Sequence, residues 1–247
     1  MTRSNSSLEL LRHSEQSVQN LFENELRVYT QLGDNYIELL SDATSRYPIV
    51  CTEKKGHKTK EEFFVQIAVA ALASNVVNQL EAFQLCLKNG LLQPGISISR
   101  TAFETTLLAQ YLVLNPSQAI KWAGGKKIEI YEVRNNLPEK EEYSLLYKMM
   151  SGISHPNFSS VNHLLQIDKE TYKVNVLLGN TLDLSRILNA TLMFLHSCRH
   201  STSTFISDVF GFIPKSDDWV EFFGRLGLNE KTFEELQKQI ESQREAG

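Results

Sequence analysis

Arg100 and Glu104 stand one helical turn apart in residues 94–115, PGISISRTAFETTLLAQYLVLN, where every other side chain is apolar or neutral polar. At about 100° per residue, Arg100, Phe103, Glu104, Leu107, Leu108 and Tyr111 share one face. Ala102, Thr105, Thr106, Ala109, Leu112 and Val113 share the other. Neither face suits water, so the stretch is expected to be a buried central helix over about 95–114. Charges inside such a helix need partners. A guanidinium beside a carboxylate serves either as an internal ion pair fixing helix register or as the anchor of a site.

A second constellation is Tyr147, Ser151 and His155, spaced by four, with Ser154 beside them. On a helix they form a wall of hydroxyls and imidazole. No nearby carboxylate orients the imidazole as in a Ser-His-Asp triad. His155 and Pro156 also suit a helix stop. Joined in space, Arg100 and His155 are the candidate catalytic pair. His155 would move protons and Arg100 would stabilise charge on a phosphorane. A third group, His196 and His200 with Asn189 on the same face, would widen the polar cleft. Two histidines at this spacing lack a third ligand and the glutamate of HExxH, so no metal is expected. With no GxGxxG and no GxxxxGK[ST], no cofactor is expected either. The expected ligand-binding set is therefore Arg100, Glu104, Tyr147, Ser151, Ser154 and His155, joined by Asn189, His196 and His200.

The order Arg100-x3-Glu104, Tyr111-Leu112, Asn115-Pro116, then Tyr147-x3-Ser151-x3-His155-Pro156 resembles a family of bacterial helical proteins. That family is known mainly as a domain of unknown function remotely akin to HEPN domains. The resemblance covers roughly residues 60–210. It implies an all-α bundle in which the arginine, glutamate, tyrosine, serine and histidine converge. HEPN ribonucleases carry Arg-x4-6-His on a helix. Here no arginine stands at that spacing before a histidine, and Met149 lies six residues before His155.

The elements that must position these residues read as helices. Val18, Phe22, Tyr29, Leu32, Tyr36, Leu40 and Ala43 predict one long N-terminal helix over 6–45, with Gly33-Asp34 as its kink. Further helices are expected over 61–88, 116–122, 139–155 and 182–210. A short extended segment is expected near 165–178. Two short helices close the chain, the second capped at Asn229 and frayed over its last ten residues. The expected organisation is one helical domain over 1–247: a long helix over 1–48, a core bundle over 60–211, and C-terminal short helices over 215–247.

A net charge of -4 gives no general attraction to nucleic acid, though a local basic patch is compatible with it. Cys51, Cys86 and Cys198 form no CxxC pair, and an odd count suits free thiols in a reducing compartment. No signal peptide is expected from the polar N-terminus, and no spanning helix and no membrane partner are expected. The expected place is the cytoplasm. The leading reading is a module that binds a ligand, nucleotide or RNA in bacterial stress or phage defence. Its rivals are a metal-independent HEPN-like ribonuclease and a structural protein that homodimerises through helices.

Overall fold

The computed structural model describes residues 7–47, 59–138, 165–168, 173–176, 184–210 and 217–245, together with the helical positions Glu141, Tyr143 and Tyr147. It is an all-α multi-helix bundle with a central buried helix.

The apolar spacing of the N-terminal region gives two helices, not one. α1 runs Ser7–Asn24 and α2 runs Arg27–Arg46. The break falls at Glu25 and Leu26, whose N–H groups both donate to the Leu21 carbonyl at 2.9 and 3.0 Å. That shared acceptor closes α1 with a 6→1 bond. Gly33, the expected kink, lies inside α2. A Cβ there would stand 2.2 Å from Phe194 Cε1, so the glycine serves close packing rather than bending.

α3 spans Lys60–Lys88. It starts at a capping box: Glu62 N–H donates to Thr59 Oγ1, and Thr59 N–H donates to Glu62, both at 3.2 Å. Thr59→Ala is expected to lower the unfolding free energy by about 1 kcal/mol, read by denaturant titration. Phe63–Leu80 carries no charge, and α3 is long and apolar enough to cross a bilayer by length and composition. The expectation that no helix would qualify is thus corrected. In the bundle, Ala68, Leu72, Val76 and Leu80 of α3 are buried core. Asn89 and Gly90, at φ +70°, end α3 as expected.

α4, Leu92–Leu114, is the central helix, packed on α3. Its other large neighbour is α7, Leu184–Thr204, which runs into a π-helical turn at Phe205–Val209. Between α4 and α7 lie buried hydroxyl pairs: Ser99 with Ser197 at 2.6 Å, and Thr106 with Ser201 at 2.9 Å. Small hydroxyl side chains let the two helices approach and satisfy each other's polar atoms.

α5 spans Pro116–Ala123 with its proline in the first turn. Asn115 marks this junction, but its side-chain amide donates to the Tyr111 carbonyl and closes α4 instead of capping α5. Gly125, at φ +87°, ends the helix, and α6 follows at Ile130–Asn135. The expected extended segment is an antiparallel hairpin, β1 Leu165–Asp168 with β2 Lys173–Val176, Leu165 opposite Val176. α8 is one continuous helix, Asp217–Glu245, where two short ones were expected. Asn229 is not its cap but a buried residue within it, and the helix extends through most of the stretch expected to fray. α8 is fastened to α2 by Arg225–Asp42 at 2.7 Å and Tyr36–Glu230 at 3.0 Å.

Candidate anion-binding site

The site starts on α4, whose apolar neighbours are buried while Arg100 and Glu104 lie at the edge of the packed face. Their side chains are 21% and 28% exposed. The expectation of full burial is corrected: the pair can meet a solvent-borne ligand. Arg100 Nε donates to Glu104 Oε1 at 2.8 Å, and Arg100 Nη2 donates to the Tyr147 hydroxyl at 2.5 Å. The Arg100 guanidinium carbon also lies 4.7 Å from the Tyr147 ring centre.

Arg134 brings a second guanidinium to the same ring, its carbon 4.0 Å from the centroid. α6 puts it there. Val133 and Leu137 are buried, which turns the neighbouring arginine to the edge of the core. The Tyr111 hydroxyl donates to Glu132 at 3.1 Å and ties α6 to α4. Burial and that carboxylate together push the Tyr111 hydroxyl pKa up.

Tyr147 is held in turn by Tyr143, one turn earlier on the same helical stretch. Tyr143 is buried edge-on to Phe103, and its hydroxyl donates to Gln110 at 3.3 Å. Gln110 also donates to Asp208, in the π-helical turn, at 3.3 Å. The stretch is thus anchored to α4 at both tyrosines.

The electrostatic balance is uneven. Two guanidiniums lie over one ring, and Glu104 pairs with one of them. Among the described residues Arg134 makes no ion pair, and its Nε is buried without a hydrogen-bond partner. A guanidinium stacked on an aromatic face keeps its N–H edge available, which suits a planar or tetrahedral oxyanion.

The structure brings together Arg100, Glu104 and Tyr147 from the expected set. Ser151, Ser154 and His155 lie outside the described residues. His200 packs on Phe103 at 5.1 Å and on Tyr143 at 5.8 Å, behind the tyrosine stretch. His196 meets α8 instead, edge-on to Phe233 at 5.0 Å. Asn189 is exposed on α7. Among the described residues no group of three or more His, Cys, Asp or Glu stands ready for a metal ion. Arg134 was missed by sequence reasoning. Its signal is its place beside the spaced apolar residues Ile130, Val133 and Leu137.

Partial desolvation of the His196 ring, which packs on Phe233 yet stays exposed at its rim, and then the Arg199 cation beside it, push its pKa down. Arg199 lies over Phe233 and pairs with Glu230 at 2.6 Å. A histidine whose folded pKa is depressed binds fewer protons folded than unfolded. Stability is therefore lost as pH falls below about 6.5. His196→Gln is expected to flatten that loss between about pH 7.5 and about pH 5, read by denaturant titration at each pH.

Fold and site define a helical bundle with a cationic, aromatic-backed site between α4, α6 and the tyrosine stretch. No family model, curated protein or solved structure matches the chain.

Proposed function

We propose that this protein is a binding module for phosphate-bearing ligands, a nucleotide or single-stranded RNA, at Arg100, Tyr147 and Arg134. The observation that carries the reading is Arg134: a half-buried cation stacked on Tyr147 which, among the described residues, has its Nε unpartnered and no carboxylate paired to it. Glu104 pairs with Arg100, so a bound phosphate would be met first by Arg134. Tyr147 offers a ring edge for a base and a hydroxyl already oriented by Arg100.

The test is fluorescence anisotropy with a labelled RNA oligonucleotide, competed by ATP, in metal-free buffer across a salt series. Arg134→Gln is expected to weaken binding about tenfold and to flatten the salt dependence. Equal binding by the variant sinks the reading. The same mixtures are resolved on a gel, and intact RNA is expected. Cleavage that a His155→Ala protein lacks would replace the binding module with the ribonuclease.

A further inference from the structure

A second opening, about 710 Å³ in volume, lies where the turn between α1 and α2 meets the C-terminal end of α3. That size falls in the range of small-ligand clefts. Phe22 and Leu85 give it apolar wall, and charges of both signs face it.

The charges are graded along the cleft. Gln84 of α3 donates to Asp34 at 2.6 Å and to the Thr30 carbonyl at 3.4 Å. Lys88, one turn further along α3, lines the same opening as Arg27. The basic end therefore holds Arg27 and Lys88, and the far end holds Asp34. The first turn of α2 adds to the basic end. It has no side-chain cap and no acidic residue, and its end carries the positive pole of the helix dipole, although the Tyr29 and Thr30 N–H groups already donate to the Leu26 carbonyl at 3.1 Å. Among the described residues Arg27, Lys88 and Glu23 form no ion pair, although all three face one opening. These groups have not neutralised one another. Gln84 meanwhile fixes the Asp34 carboxylate in place.

The backbone positions of Arg27 and Asp34 are seven residues apart on one helix, about 10 Å along its axis. A free amino acid is too short to bridge that distance. An extended chain of three residues spans about 10 Å from ammonium to carboxylate. We propose that this cleft binds a short peptide of about three residues, with its carboxylate at Arg27, Lys88 and the start of α2, and its ammonium at Asp34. The middle side chain lies against Leu85 and Phe22, which favours an apolar residue there.

The experiment is isothermal titration with the tripeptide Ala-Leu-Ala, its N-acetyl form and its C-terminal amide. The free tripeptide is expected to bind, and each blocked form to bind at least about tenfold more weakly, since each loses a charge-assisted contact. Free leucine is expected to bind more weakly too. Arg27→Gln should erase the difference between acid and amide while keeping that between free and acetylated. Asp34→Asn should do the reverse. Arg27 is exposed, so its variant stays folded even where Asp34→Asn loosens the contact with Gln84. Arg134→Gln should leave all these affinities unchanged, which separates this cleft from the phosphate site. No binding, equal binding of the three forms, or binding of free leucine as tight as the tripeptide overturns the proposal.

Discussion

Phe194→Ala is expected to lower the unfolding free energy by about 3–5 kcal/mol, the largest single loss in the bundle. Phe194 is fully buried and meets Phe83 edge-on, ring centres 5.4 Å apart. It lies in the gap that Gly33 leaves in α2. The converse change is Gly33→Ala. A methyl group placed 2.2 Å from Phe194 Cε1 forces the ring or α2 to move. That overpacking costs about 1–3 kcal/mol, against a gain of about 1 kcal/mol in helix propensity. The two sites are coupled. Phe194→Leu removes the atoms in the way, so Gly33→Ala in that background is expected to be neutral or stabilising. A double-mutant cycle by denaturant titration, at unchanged slope, gives the coupling directly. If Gly33→Ala costs the same beside leucine as beside phenylalanine, the close approach of α2 and α7 does not hold the fold together.

This pair also shows where sequence reading stops. The spacing of Val18, Phe22, Leu32, Tyr36, Leu40 and Ala43 marks the buried face, and these residues are buried. Periodicity does not say whether a glycine bends its helix or admits a neighbour. Gly33 does the second, and the partner lies far along the chain on α7. The break at Glu25 and Leu26 carries no proline or glycine, so nothing local announced it. The reverse error occurs in α8, where two short helices were expected, the second capped at Asn229. An added Cβ at Gly224 or Gly227 would meet open space, so neither glycine marks a tertiary constraint, and the helix continues through both.

The site was legible in part. Two charges in an apolar helix demand partners, and that argument points to Tyr147 from forty-seven residues away. It overstated burial, because a helix can be apolar all round and still lie with one edge near solvent. Arg134 was hidden for a different reason. Its helix has six residues, too few for an apolar period to stand out. The hydroxyls of Ser197 and Ser201 carried no expectation in sequence. They face α4 because Ser99 and Thr106 offer them partners there.

Glu104→Gln separates a receptor from a piece of architecture by the sign of its effect. The glutamine keeps an oxygen that accepts from Arg100 Nε, so the arginine stays oriented. The negative charge is gone, leaving two guanidiniums over Tyr147 without their carboxylate. A phosphate-bearing ligand then meets less repulsion. Two unit charges about 4 Å apart interact by about 1 kcal/mol in water and by more at a half-buried site. Affinity for the RNA oligonucleotide is therefore expected to rise about tenfold at low salt, and the salt dependence to steepen. Stability should fall by about 1 kcal/mol, since a pair exposed by roughly a quarter is worth less than a fully buried one. Anisotropy and denaturant titration on the same protein read both quantities. A protein that binds more tightly while folding less stably holds Glu104 as the counter-ion that a bound anion displaces. Loss of stability with affinity unchanged or weakened makes Arg100 and Glu104 a register-fixing ion pair, and the phosphate reading fails with it.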